Sequence, residues 1–341
     1  MKQYRYHIAV LTMLVTAVIG CKKVDIDSPD GFSITTDKAI YKAGDTALFN
    51  LSGTADMIVF FSGEAGKNYD NRNRAVLAGI PKLVFQTNMQ QGVLLNNDSL
   101  RLYVSTNLQG YDSANVVNAN WTDITSRNTK WPTVLSSTFV ISDSIALTDF
   151  NTSDSINIAF RATGKKYATA AQRKWQLQNL NLTNFLADGS TTSLFSTFSN
   201  TGWIQANIKN NPVPSLTTTN YQAWNVGQAG INASNAPLVI SSKACNSNGI
   251  PIQAVYPITF DPSAVTNVDD NDDWLITSAI NLKTVKPDVG IAIKKPVDVT
   301  LKTYKYRFAT PGTYTLTFIA QNQRLDEKKE IVRQVQITVT P

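Results

Sequence analysis

Two stretches, Tyr314-Thr315-Leu316-Thr317-Phe318-Ile319-Ala320 and Ile156-Asn157-Ile158-Ala159-Phe160, decide the fold. In the first, Tyr314, Leu316, Phe318 and Ala320 alternate with Thr315, Thr317 and Ile319; in the second, Ile156, Ile158 and Phe160 alternate with Asn157 and Ala159. A period of two with one wetter face is the pattern of a strand in an antiparallel sheet that buries one side. Runs of the same kind lie at residues 47–51, 57–61, 100–104, 175–182, 238–241, 304–308 and 331–340. After Cys21 no stretch keeps a helical period for more than about two turns, and residues 167–174 are the best helical candidate. Ser, Thr and Asn total 93 of 341 residues while charged residues make up only 16%, which is β-protein composition. The expectation is an all-β chain whose antiparallel sheets pack as sandwiches.

The length allows two or three cores. The only histidine is His7, inside the leader described next, and the cysteines are Cys21 and Cys245. A Ser-His-Asp triad, a Cys-His dyad, a histidine zinc site and a cysteine-rich zinc module are thereby excluded for the processed chain. Lys2 and Arg5 also fall in the leader, and without them the net charge drops from +6 to +4, dispersed along the chain. So mild a balance argues against nucleic acid as a partner.

Residues 1–20 start with Lys2 and Arg5, run apolar from Ile8 to Ile19 and end in Val18-Ile19-Gly20-Cys21. Apolar, variable, small, cysteine is the pattern of a bacterial lipoprotein signal, in which the thiol is lipidated and becomes the first residue. The apolar run is too short to span a bilayer, so Cys21 reads as a membrane anchor rather than a catalyst. Residues 21–31 are polar and broken by Pro29, a tether. Cys245, unpaired in an oxidising compartment, reads as a small buried apolar side chain or as a reactive thiol.

The two ends of the chain share a pattern. Tyr41-Lys42-Ala43-Gly44-Asp45-Thr46 leads into a strand, and Met57-Ile58-Val59-Phe60-Phe61 is followed by Ser62-Gly63-Glu64-Ala65-Gly66, a turn that lacks the strand-to-helix setting of a phosphate loop. Near the C-terminus, Tyr304-Lys305-Tyr306-Arg307-Phe308 precedes Pro311-Gly312-Thr313-Tyr314 and a last strand through Val335-Gln336-Ile337-Thr338-Val339. Together they resemble the polycystic kidney disease (PKD) type of immunoglobulin-like domain. That resemblance implies a discontinuous β-sandwich of residues 32–72 plus 298–341, with residues 73–297 inserted between its middle strands. In the insert, Phe139-Val140-Ile141-Ser142, then Ile156-Asn157-Ile158-Ala159-Phe160-Arg161, then Lys174-Trp175-Gln176-Leu177 resembles, in that order, the jelly-roll domains of cleaved-adhesin and choice-of-anchor type. Trp274-Leu275-Ile276 followed by Ile291-Ala292-Ile293 reads as a fainter copy of its opening, or as another strand of the same roll. The leader, the split sandwich and the insert together resemble an uncharacterised family of Bacteroidota surface lipoproteins, a domain of unknown function. The resemblance implies an outer-membrane location and a setting near glycan uptake; it carries no catalytic residues.

Two constellations point to ligands. Asp269-Asp270-Asn271-Asp272-Asp273 gathers four carboxylates and an amide, hard oxygen donors that suit a structural calcium ion, although the spacing is not that of a helix-loop-helix calcium loop. The alternative is a solvated acidic turn. All six tryptophans lie in the insert. Trp175 and Trp274 sit on alternating apolar runs and read as core. Trp203 follows Gly202, and Trp224 lies with Tyr221 among Asn220, Gln222, Asn225 and Gln228. Flat aromatic faces beside amides are what a sugar ring requires, so Trp121, Trp203, Tyr221 and Trp224 are the binding candidates, with packing in a core the alternative for each. Asp149 with Asp154, or Asp188 with Glu64, are nominal glycosidase pairs, but nothing marks an apolar pocket around them. The leading expectation is a non-catalytic surface lipoprotein that captures glycan through its insert, with no cofactor beyond a structural calcium. The alternatives are an accessory that binds another surface protein, such as a transporter complex, and a glycoside hydrolase.

Overall fold

The computed structural model describes residues 25–93, 99–165, 172–195, 202–209, 224–225, 258–260 and 270–341. Cys21, Tyr221, Cys245, Asp269 and the expected strand at 238–241 lie outside them, as does most of the expected helix at 167–174. The described chain is nearly all β. It divides into two compact units: a terminal unit, reaching Asn73 and resuming at Pro287, and a central unit, Arg74–Lys286.

The first strands are β1 (Ser33–Thr36), β2 (Ile40–Lys42), β3 (Thr46–Ser52) and β4 (Met57–Phe61). The central unit supplies β5 (Ile80–Met89), β6 (Ser99–Ser105), the helix α1 (Ser113–Asn118), β7 (Trp121–Asp123), β8 (Val140–Ile141) and β9 (Ile145–Ala146). It continues with β10 (Asn157–Gly164), β11 (Trp175–Phe185), β12 (Thr191–Phe195), β13 (Ile204–Lys209), β14 (Trp224–Asn225), β15 (Ile258–Phe260) and β16 (Asn271–Ile276). The chain then returns to the terminal unit through β17 (Ile291–Lys294), β18 (Thr303–Arg307), β19 (Gly312–Gln323) and β20 (Lys328–Thr340).

In the terminal unit a three-stranded sheet, β1-β3-β18, and a five-stranded sheet, β17-β4-β19-β20-β2, share one core. Ala47, Phe49 and Leu51 are the buried alternate positions of β3. Phe49 meets Phe318 at 5.6 Å, and Phe60 meets Phe318 at 4.8 Å. The face of β19 expected to be wet is closed from Thr317 on, since Thr317, Ile319 and Gln321 are buried, while Thr315 is exposed. Long polar side chains of β20 lie over it: Gln334 Nε2 donates to Thr317 Oγ1 at 3.1 Å, and Gln321 Nε2 donates to Glu330 at 3.1 Å. Ile291-Ala292-Ile293, which the sequence placed in the insert, instead extends this sheet, with Ile291 opposite Phe60. The second seam between the units therefore falls at Lys286–Pro287, ahead of residue 297.

Gly53, just past β3, has φ +83°, and a Cβ there would stand 2.5 Å from the backbone oxygen of Gly31. An L-residue pays about 1–2 kcal/mol for this backbone region alone, and here the facing chain must also move. Gly53→Ala is expected to cost about 2 kcal/mol or more, read as a lower urea midpoint with an unchanged slope.

The central unit is a second sandwich. The sheet β13-β16-β10-β6-β7 packs on the sheet β14-β15-β11-β5-β8, to which β12 and β9 are added. Their inner faces form one core, with Phe85 of β5 edge-on to Phe160 of β10 at 5.0 Å. β5 is among its longest strands and was not evident in the sequence, because polar Thr87 and Asn88 are buried side by side and blur the alternation. The acidic run is likewise no turn, since Asn271 to Ile276 form a strand paired on both sides by β10 and β13. The helix that forms is α1, a short piece capped by Asp112, whose carboxylate accepts from the Asn115 N–H at 3.1 Å.

Candidate functional site

The outer face of the sheet β13-β16-β10-β6-β7 carries the most distinctive chemistry of the central unit. Antiparallel register sets Trp274 beside Arg161 and Arg161 beside Arg101; one row on, Ile276, Ala159, Tyr103 and Asp123 lie abreast, and beyond Trp274, Asp272 lines up with Thr163 and Ser99. Residues paired across a ladder share a face, so these side chains stand together on the side away from Leu102, Phe160 and Leu275 of the main core.

Arg161 grips Asp272 with a fork, its Nε and Nη2 each donating to a different carboxylate oxygen at 2.7 Å. The guanidinium also lies 5.0 Å over the Trp274 ring, and Trp274 Nε1–H donates to Asp272 Oδ1 at 3.1 Å. Trp121 packs on Trp274 at 4.8 Å, Tyr103 packs on it at 5.2 Å, and the Trp121 indole is pinned by donating to the Val116 carbonyl of α1 at 2.8 Å. Arg101 and Asp123 pair at 3.5 Å with side chains 51% and 40% exposed, while Trp121 and Arg161 are half-buried and Tyr103, Asp272 and Trp274 are buried. The result is a fixed aromatic floor bordered by two Arg–Asp pairs. Its Arg101–Asp123 rim is exposed, while α1 covers part of the face from the outer side, where fully buried Val116 packs with Tyr103, Ala159, Trp274 and Ile276.

The opposite sheet offers a different outer face. Gln86, Asn88, Gln90, Gln176 and Gln178 lie there, and their amides bond to one another: Asn88 and Gln90 both donate to Gln176 Oε1, and Gln178 donates to Gln86 Oε1. Much of that hydrogen-bonding capacity is already spent within the sheet.

Of the expected binding residues, Trp121 belongs to the aromatic floor. Trp203 and Trp224 do not; they are 1% and 0% exposed in the main core, Trp203 facing Phe160 at 6.2 Å and Trp224 facing Phe260 at 5.2 Å. A ring packed in this way has no face left for a sugar. The glycine and amide neighbours that made them look exposed say nothing of what the sheets bring over them.

The expected calcium cluster also disperses. Period two sends Asp272 and Asp273 to opposite faces of β16: Asp272 goes to Arg161, and Asp273 goes into the interior. Asp270 pairs with Lys165 at 2.8 Å. No group of three or more His, Cys, Asp or Glu side chains suited to a metal occurs among the described residues. Asp273 is fully buried, and neither of its carboxylate oxygens has a hydrogen-bond partner. Burial, with the neighbouring Asp272 charge, pushes its carboxyl well above the usual carboxylate range.

Asp149 and Asp188 shift the other way. Arg127 binds Asp149 through two bonds of 2.9 and 2.6 Å and holds it below the usual range. Asp188 is lowered against the cost of burial by Ser190 and by Arg74 at 2.7 Å. A general acid at neutral pH needs the opposite shift. Sequence reading missed Arg101, Tyr103, Asp123 and Arg161 as site residues, and the one local signal was an arginine following the alternating apolar run 156–160.

Among protein families, the chain matches a domain of unknown function, DUF5017, over residues 20–203. The match covers more than half of the chain, and the protein belongs to that family. It includes Arg101, Tyr103, Trp121, Asp123 and Arg161 and ends before Asp272 and Trp274. No curated protein and no solved structure matches the chain.

Proposed function

We propose that this protein is a non-catalytic surface lipoprotein of the Bacteroidota type, held to the outer membrane through lipidated Cys21, that captures glycan on the outer face of the β13-β16-β10-β6-β7 sheet. In this reading the terminal unit is a PKD-like spacer and the central unit a jelly roll. One observation carries it: the half-buried Trp121 indole, packed on Trp274 and hydrogen-bonded to the Val116 carbonyl, lies in the same sheet face as the exposed Arg101–Asp123 pair. An indole supplies the apolar surface that a sugar ring covers, and guanidinium and carboxylate groups read hydroxyls on either side of it. The indole is already held by Trp274 and by α1, which keeps the ordering cost of binding low.

The test is affinity electrophoresis of residues 22–341 through gels containing plant, algal or host polysaccharides. One glycan class is expected to retard the protein. Trp121→Ala and Arg101→Ala should each weaken that retardation about tenfold, roughly 1.4 kcal/mol, while circular dichroism stays unchanged. Absence of retardation by every glycan would discard this reading.

A second reading, a protein partner, draws on Val134, Leu135 and Ile141, which are 68%, 57% and 56% exposed, Ile141 lying in β8 at the edge of the seven-stranded sheet. Exposed apolar side chains beside an unpaired strand edge suit addition of a partner strand. A pull-down from outer membranes, lost on Ile141→Lys, separates it from the glycan reading.

A further inference from the structure

We propose that Asn271 and Asp273 form an interior site for a hard divalent cation, calcium being the ion that fits best. Both residues lie on the inward face of β16, two positions apart, and they are 3% and 0% exposed. Three oxygens there have no hydrogen-bond partner: both carboxylate oxygens of Asp273 and Oδ1 of Asn271. The Asn271 amide is not free to turn, because its Nδ2 donates to Gln172 Oε1 at 2.8 Å. Its oxygen, and not its N–H group, is therefore the end presented away from Gln172.

Across the ladder, Asn271 stands opposite Gly164 and Asp273 opposite Ala162. Neither of these β10 residues brings a side-chain donor; on the β13 side Asp273 stands opposite Asn207. The charged residues next to these positions along the chain make bonds of their own: Asp272 is forked by Arg161 on the other face, Lys165 pairs with Asp270, and Arg173 donates to the Gln90 carbonyl at 3.0 Å.

An isolated carboxylate in an apolar core is among the costliest arrangements a fold can hold. A proton relieves one of the three oxygens, whereas a cation relieves all of them. Oxygen-only donors, one of them a carboxylate, select calcium over softer metals, and calcium completes its shell of 6–8 oxygens with backbone carbonyls and water. This site differs from a cluster built on the whole acidic run: it uses Asp273 with Asn271 and excludes Asp270 and Asp272. It is independent of the glycan reading.

The experiment is thermal unfolding of chelator-treated full-length mature protein at pH 8 and pH 5, with calcium chloride, magnesium chloride or sodium chloride at matched ionic strength. At pH 8, millimolar calcium is expected to raise the melting temperature by about 5 °C or more, magnesium less, and sodium not at all. At pH 5 the shift should shrink as protons compete. Asp273→Asn should abolish the calcium response, Asn271→Ser should weaken it, and Asp270→Asn should keep it. A wild-type melting temperature indifferent to calcium at pH 8 overturns the proposal, as does a response that Asp270→Asn removes. Should Asp273→Asn not fold, the wild-type and Asn271→Ser responses decide.

Discussion

Trp224→Ala is expected to lower the melting temperature of the central unit by about 6–20 °C, the equivalent of about 3–5 kcal/mol for a tryptophan removed from a core. The side chain is fully buried. Its Nε1–H donates to the backbone oxygen of Asp273 at 3.1 Å, so truncation leaves that acceptor without its donor as well as opening a void beside Phe260. Trp203→Ala, at 1% exposure against Phe160, belongs in the same range. Differential scanning calorimetry gives the shift. Trp224→Phe should recover part of it, since a smaller ring still fills some of the space. Neither alanine variant should change glycan affinity at temperatures where it remains folded, which separates these two tryptophans from Trp121.

Arg161→Ala is the second large effect, and it acts through charge. Asp272 has a side chain only 11% exposed, and both its oxygens are held by Arg161. Removing the guanidinium strands a nearly buried carboxylate and strips the cation from over the Trp274 ring. Breaking a fully buried pair costs about 3–5 kcal/mol and an exposed pair about 0–1. With the Arg161 side chain 32% exposed, about 2–4 kcal/mol is expected. Urea titration measures it. The double change Arg161→Met with Asp272→Leu should return much of the stability, because a buried pair replaced whole by apolar groups strands no charge. If the double variant is no more stable than Arg161→Ala, the pair is not the origin of the loss.

Where a strand carries its own alternation, its sequence was sufficient. The Ala47-Leu48-Phe49-Asn50-Leu51 run and the long β19 with β20 are visible because apolar and polar residues take turns, and Met57–Phe61 is visible as a short continuous apolar run bounded by glycine-containing turns. β5 and the Asn271-Asp272-Asp273 part of β16 are opaque for the opposite reason. Thr87 and Asn88 in one, and Asn271, Asp272 and Asp273 in the other, put polar groups at buried positions, and what satisfies them lies far along the chain: Gln176 for Asn88, Arg161 for Asp272. A five-residue window of carboxylates looks like a solvated turn until its partners arrive across a ladder.

The site follows the same logic. Arg101, Tyr103, Trp121, Arg161 and Trp274 come from strands β6, β7, β10 and β16, and only the register of four ladder partners places them on one face. Tryptophan count drew attention to the central unit. Which indoles stay within reach of solvent is decided by packing between sheets, and that is why Trp121 remains a candidate while Trp203 and Trp224 become core.

Hydrogen exchange of residues 22–341, with and without any polysaccharide found to retard the protein in electrophoresis, tests the central claim most directly. A ligand lying on the Trp121 face predicts slowed exchange in peptides spanning Ser99–Ser105, Trp121–Asp123 and Asn157–Gly164, with Ile80–Met89 and Trp175–Phe185 unchanged. Protection confined to those last two strands would place the ligand on the amide-lined sheet and contradict the account.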